Sequence, residues 1–219
     1  MDTCGQEGSI ALLDSEAAAP ADPILASVAL GGRSSSERLI PELRAMMAES
    51  GWQLRDVTAI GVVAGPGSFT GVRVGVAAAK GLCEAANVPL VMVSRLAVLA
   101  HKAGASGDGT GAVLDAGRGE FFYGSFGDGE SAMEALLSRV AVLAAARGGT
   151  IAVCEESVRV SFPELQPAMT DLSAADAFGL VSARVERRAF DDVATSDANY
   201  LRRTDLEVQQ RLAQRVPER

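Results

Sequence analysis

The sequence predicts an α/β fold with mixed sheets flanked by helices. Three observations carry that prediction. Ala59 to Val88 reads as a strand, a glycine turn and a helix. The segment from Ala112 to Phe126 repeats the strand, Asp, glycine turn and returning strand that Asp2 to Leu13 has already sketched. Composition agrees: hydrophobic residues make up 48% of the chain and aromatics only 5%, as suits small-residue helices laid on a sheet.

The first segment is the most prescriptive. Ala59-Ile-Gly-Val-Val-Ala64 is a short β-branched apolar run, which reads as a strand buried on both faces. Gly65-Pro66-Gly67 stops it, and Ser68 or Thr70 can cap a helix in which Val72, Val76, Ala79 and Cys83 recur at helical spacing. A glycine turn opening a helix presents backbone N–H groups to an anion. Gly65, Gly67 and Ser68 are therefore candidate phosphate-facing residues, although the same glycines serve a turn and close packing equally well. Neither a Walker motif nor a dinucleotide fingerprint is present, since the glycines read G-x-G-x-x-x-G. Gly71, Gly75, Ala79 and Cys83 share one helix face with almost no bulk. Something packs closely there: the chain's own sheet, another of its helices, or another protein.

The opening Asp2-Thr3-Cys4-Gly5 looks like the end of a strand whose preceding apolar residues are missing. Ser9 to Leu13 returns, Ser15 to Pro23 is an Ala/Pro loop, and Ile24 to Leu30 adds a third strand, so an antiparallel meander is expected. Ser34 to Glu37 offers a capping box to a helix with Leu39, Ile40, Leu43, Met46 and Met47 on its apolar stripe, and Pro41 predicts a kink or a later start. The paired methionines suit a core or an adaptable partner surface. Pro89 to Val93 reads as a parallel strand and Ser94 to Ala103 as a short helix. Residues 1–103 thus form a first domain, 104–111 a Gly/Ser/Asp linker, and 112–219 a smaller second domain with a charged tail.

Within the second domain, Ser131-Ala-Met-Glu134 begins a capped helix with Met133, Leu136, Leu137, Val140 and Leu143 on one face, ended by Gly148-Gly149; Thr150 to Cys154 has the pattern of a strand, Ser157 to Asp171 of an irregular connection, and Ala174 to Arg188 of a helix. Arg202, Arg203, Arg211 and Arg215 make the tail locally basic. The two turns carrying Asp2 with Thr3 and Asp115 either face a shared cleft, where acidic groups can hold a metal–nucleotide complex, or are simply turn formers.

Several function classes are disfavoured. A net charge of -8 opposes autonomous nucleic-acid binding. Three dispersed cysteines without a CxxC suggest buried thiols, neither disulfides nor zinc. Ser68 lacks the glycine spacing of a nucleophile elbow, and His101 is the single histidine that could serve as base. No apolar run approaches the ~20 residues of a membrane span, and no basic n-region precedes an apolar run, so a cytoplasmic location is expected.

Gly65-Pro-Gly-Ser-Phe-Thr-Gly-Val-Arg-Val-Gly75 with Ala79-Lys80-Gly81 closely resembles the signature of the bacterial TsaB (YeaZ) family. The match extends through Asp2-Thr3, Ser36 to Pro41, Leu114 to Glu120 and Tyr200 to Arg203, nearly end to end. The resemblance implies two RNase H-like lobes of the actin/Hsp70/sugar-kinase (ASKHA) architecture. It implies a noncatalytic role in making N6-threonylcarbamoyladenosine (t6A) beside the tRNA anticodon. TsaD would be the catalytic partner and TsaE a further partner; tRNA would be met only through the complex. ATP and metal are then expected on the partner subunits and no cofactor on this chain. TsaD carries a His-x-x-x-His metal pair after the strand corresponding to Pro89 to Val93; Arg95 and Leu99 stand in those places here. An older glycoprotease label for such proteins finds no support in these residues. Family members pair through first-lobe helices, with TsaD or as homodimers, so Leu39, Leu43, Met46, Met47, Gly71, Gly75, Ala79 and Cys83 are the expected interface. The competing reading is an ATP-binding phosphotransferase of the same fold.

Overall fold

A computed structural model of the chain describes residues 1–14, 23–31, 35–104, 111–127, 130–147 and 149–201. The expected Ser34 cap, most of the 15–23 loop and the 104–111 linker, and the basic tail from Arg202 onward lie outside the described residues.

Strands β1 (Ser9–Leu13) and β2 (Ile24–Ala29) pair antiparallel, with Ile10 opposite Val28. Strands β3 (Ile60–Val63) and β4 (Leu90–Val93) pair parallel, with Val62 opposite Met92. Two residues join these ladders. Met1 N donates to Gly61 O at 2.8 Å and Val63 N to Met1 O at 2.9 Å, while Asp2 exchanges both backbone hydrogen bonds with Ser9 at 2.9 and 2.7 Å. The main chain of Met1 and Asp2 therefore stitches β1 to β3. The expected meander is present, with its first member reduced to a bridge.

Helix α1 (Ser35–Glu49) contains Pro41 and does not begin after it, contrary to one sequence expectation. Pro41 and Glu37, whose carbonyl loses its partner, are both exposed. Solvent can satisfy that carbonyl, and burial of Leu39 and Met46 against Ile10, Leu12 and Leu30 holds the helix. Helix α2 (Phe69–Ala86) starts at Ser68, whose hydroxyl accepts from Gly71 N, and ends at Asn87 in the left-handed region. Its Val72, Val76, Ala79 and Cys83 pack on β3 and β4. Helix α3 (Arg95–Lys102) is capped by Ser94. Leu96 and Leu99 are fully buried against the next sheet, each contributing about 1.5–3 kcal/mol by burial.

That sheet contains β5 (Gly111–Gly117), β6 (Glu120–Gly127), β7 (Glu130–Ser138), β8 (Ile151–Val153) and β9 (Ala168–Met169), in the order β7-β6-β5-β8-β9. The first part of the expected helix from Ser131 is a strand, and only its second part is helical. Met133, Leu136 and Leu137 fit either period, and pairing with β6, Phe122 opposite Leu136, decides for the strand. Helix α4 (Arg139–Ala146) follows, capped by Ser138. The expected irregular connection contains α5 (Glu156–Ser161). A 3-10 turn at Ala174–Ala177 opens the last expected helix, leaving α6 as Phe178–Glu186. Phe162 seals the core under β5 and β8, meeting Phe121 edge-on at 4.7 Å between centroids.

Beyond α6 the chain returns along β4. Asp191 N donates to Leu90 O at 2.9 Å, its carboxylate accepts from Met92 N at 2.7 Å, and Arg184 donates to Met92 O at 2.7 Å. Arg184 and Asp191 are themselves paired at 3.0 Å. Among the described residues no helix is long and apolar enough to cross a membrane.

Candidate functional site

A cleft of about 1300 Å³ opens between the Thr3–Gln6 turn, the glycine turn, the β5–β6 turn and residues 199–201. It brings together Thr3, Gly67, Ser68 and Asp115 from the sequence-derived set, while Asp2 and Gly65 stand behind its wall. The two aspartate turns are built alike: Asp2 Oδ1 accepts from Cys4 N at 2.7 Å, and Asp115 Oδ1 accepts from Gly117 N at 2.6 Å. Each carboxylate folds its own turn.

Two amides of the glycine turn are used within the chain. Ser68 N is spent on Cys4 O at 2.8 Å, and Gly71 N on Ser68 Oγ at 3.3 Å. A Cβ on Gly67 would stand 2.4 Å from Cys4 O, and one on Gly71 only 2.0 Å from Thr3 O. Thr3 Oγ1 donates to Gly71 O at 2.6 Å and fills the space that a Cβ on Gly75 would need. The Thr3–Cys4 main chain packs directly on the glycine turn, while Gly67 and Ser68 line the cleft and Gly65 does not.

Arg95 forms the floor. The residue is 6% exposed, and its guanidinium reaches Asp2 Oδ2 at 3.8 Å and Glu155 Oε1 at 3.4 Å. Glu155 Oε2 accepts from Asp115 N at 2.6 Å, so a chain of charges runs from one turn to the other. Burial pulls the guanidinium pKa down, but Asp2, Cys154 and Glu155 together raise it above the ordinary arginine value. Leu99, in the other place where TsaD has histidine, is fully buried among apolar residues. Among the described residues no group of three or more His, Cys, Asp or Glu could hold a metal ion.

Two features escaped the sequence reading. Glu134 on β7 accepts from Ser94 Oγ and, at 2.6 Å, from Asn199 Nδ2, tying three distant segments together. Its apparent capping-box position concealed that role. Phe69, Arg73 and Tyr200 cluster beside the cleft mouth; the i, i+4 spacing of Phe69 and Arg73 was the available signal.

The expected interface set faces inward. Leu39 is 1% exposed, Met46 2% and Met47 8%, and Leu43 packs on the same cluster. Ala79 and Cys83 lie in the core beneath α2, and Gly71 and Gly75 adjoin Thr3. All of these but Met47 pack against other parts of the chain itself. The outward faces are instead Ile40, Pro41 and Arg44 on α1 and Arg73, Ala77 and Gly81 on α2.

Burial pushes the thiols of Cys83 and Cys154 up to about 11, with the Glu84 charge adding to the first. An unfolded thiol ionises near ~8.5, so above that pH the unfolded chain has lost protons that the folded chain keeps. Stability is therefore expected to fall as pH rises from about 8.5 through 11. Urea denaturation across that range should show the fall, and the Cys83→Ala variant should show a shallower one. An unchanged slope would refute the role of the thiol.

The family model described as TsaD, tRNA N6-adenosine threonylcarbamoyltransferase, matches residues 27–214. The tRNA threonylcarbamoyladenosine biosynthesis protein TsaB of Escherichia coli is 35% identical over 96 residues, covering 43% of this chain and 42% of that protein. The protein of the same name from Haemophilus influenzae is 40% identical over 74 residues, 34% of this chain and 31% of that protein. The chain belongs to the TsaD family, in its TsaB/YeaZ branch. The solved structure of YeaZ from Pseudomonas aeruginosa superposes with a TM-score of 0.70 at 27% identity, covering 91% of this chain and 97% of that one. Against the two curated TsaB proteins the matched stretch spans less than half their length. The TsaB/YeaZ resemblance of the glycine motif thus extends to the fold.

Proposed function

We propose that this chain is an accessory subunit in t6A biosynthesis, binding and stabilising TsaD together with TsaE and performing no chemistry itself. The names of its TsaB relatives support the process. One observation supports the division of labour: Arg95, which stands where the TsaD pattern has its first histidine, is a buried cation paired with Asp2 and Glu155. A buried cation paired to Asp2 and Glu155 removes both the vacancy and the free carboxylates that metal chemistry requires. The same buried ion pair counts against the phosphotransferase reading.

In this proposal residues 1–103 and 112–219 are the two RNase H-like lobes of an ASKHA architecture, the protein is cytoplasmic, and tRNA is met only through the complex. ATP and metal belong to the partner subunits. TsaD, or a second copy of this chain in a homodimer, docks on the outward faces of α1 and α2. Gly81, where a Cβ would meet nothing within 4 Å, offers that surface a position for close approach. Depleting the protein is expected to lower t6A in bulk tRNA, read by nucleoside mass spectrometry. A Gly81→Arg copy should fold normally yet restore neither t6A nor co-purification with TsaD. Undiminished t6A after depletion would overturn the proposal.

A further inference from the structure

Helix α3 follows the first four strands in sequence but is held from both sides of the structure. On one side Arg95 N donates to Gly65 O at 2.7 Å, and Val98 packs into the core with β3 and β4. On the other, Leu96 and Leu99 are fully buried against the five-stranded sheet. Strand β6 comes so near at Gly124 that a Cβ there would stand 3.2 Å from that of Leu96. At the far end of α3, Lys102 pairs with Asp176 at 3.0 Å, in a turn whose Ala174 N donates to Ser9 Oγ of β1 at 2.8 Å.

The start of α3 carries two polar attachments on consecutive residues. Ser94 accepts from Ala97 N as the cap and donates its own hydrogen to Glu134 Oε1 on β7. The second oxygen of Glu134 accepts from Asn199 Nδ2 at 2.6 Å, and Asn199 N donates to Ala64 O, just beyond β3, at 2.8 Å. One carboxylate thus ties β7 to two segments packed on the first sheet. Arg95 makes the other attachment, reaching Glu155 just beyond β8 at 3.4 Å. In the sheet order β7-β6-β5-β8-β9, Glu134 and Glu155 come from either side of the β6-β5 pair. The attachments therefore straddle the strands on which α3 lies. Turning the sheet about one of them stretches the other, and bonds to a charged carboxylate are short and directional. Turning it about the line that joins them lifts Leu99, one helical turn further along α3, out of its apolar contact. Three anchors off a common line leave no hinge axis.

We propose that Glu134, Glu155 and the apolar face of α3 clasp the two halves of the chain, β1 to β4 with α1 and α2 and the five-stranded sheet with α4 and α5, into one rigid body. The cleft between them keeps a single aperture, and Glu134 is the positioning residue that fixes it. A partner meets both halves at one set orientation, as on a template rather than in a jaw. The clasp stands on this geometry and not on the t6A role, which the modification assay tests separately.

The test is the distance between two spin labels on the full chain, measured by double electron–electron resonance. The labels are carried by a keto-bearing unnatural amino acid in place of Ala48 at the end of α1 and Val160 on α5, both exposed, so the three cysteines stay untouched. Wild-type protein is expected to give one narrow distance. Glu134→Ala removes two bonds to a charged acceptor, each worth about tenfold in an equilibrium between orientations, so a second and broader population should appear. Ser94→Ala and Asn199→Ala remove one bond each and should give smaller second populations. Glu156→Ala deletes an exposed carboxylate on α5 and should leave the wild-type distance unchanged. Thermal denaturation establishes that each variant is folded, and Asn199→Ala decides the matter if Glu134→Ala is not. Two distances in the wild-type protein would overturn the proposal. So would a single wild-type distance in folded Glu134→Ala or Asn199→Ala, or equal broadening by Glu156→Ala.

Discussion

Replacing Arg95 with methionine is expected to destabilise the protein by about 3–5 kcal/mol, the cost of leaving one partner of a buried ion pair uncompensated. Asp2 is 3% exposed, and its Oδ2 is paired with Arg95 at 3.8 Å. Methionine would fill the volume without the charge, so the loss is electrostatic rather than a cavity. Adding Asp2→Asn should recover much of it, since the asparagine oxygen can still accept from Cys4 N while no longer needing a counter-charge. Urea denaturation of the two single variants and the double variant gives the coupling. A loss below about 1 kcal/mol for Arg95→Met would mean that the guanidinium is not the counter-charge of the aspartate turn.

Gly71→Ala is the second large effect. Its new Cβ would lie 2.0 Å from the carbonyl oxygen of Thr3, a backbone atom that cannot rotate away. Either α2 or the Thr3–Cys4 turn must shift, at about 1–3 kcal/mol, and the midpoint should fall by roughly 2–4 °C per kcal/mol in a chain of this size. The same substitution at Gly81, on the same helix, meets open space. It should be neutral or stabilising by up to about 1 kcal/mol, since alanine favours helix. Equal midpoints for the two variants would show that the turn is not packed on the helix. The contrast also means that bulk at Gly75 reports folding, because its Cβ would meet Thr3 Oγ1 at 2.3 Å.

What could be read from residues alone follows the range of the forces concerned. The strand–turn–helix from Ile60 to Ala86 was legible because every determinant is local: a β-branched run, a turn dipeptide, a capping serine and helical spacing. The small-residue stripe correctly announced a close approach, but its partner is Thr3, 68 residues away in the hydrogen bond to Gly71. Nothing local identifies such a partner. Segment 130–138 failed for the converse reason. Its Ser-x-x-Glu pattern satisfied the local rule for a helix start, and the ladder with β6 overrode it. The aspartate turns were legible as turns, whereas the charge chain through Arg95 and Glu155 joins residues from three elements and appears only when the chain is folded.

The return of the chain along β4 has a consequence for how the molecule behaves in company. A strand at the border of a sheet offers a row of donors and acceptors to any other strand, including one from a neighbouring molecule. At Met92 both are taken, the amide by Asp191 and the carbonyl by Arg184, and the two side chains are locked to each other. Backbone hydrogen bonding at Leu90 is likewise spent on Asp191. A foreign strand could dock on β4 only by breaking an ion pair and stranding two charges. The border is closed to intermolecular pairing by side chains imitating a strand, which protects an apolar sequence, Leu90-Val-Met-Val93, that would otherwise be a template for aggregation.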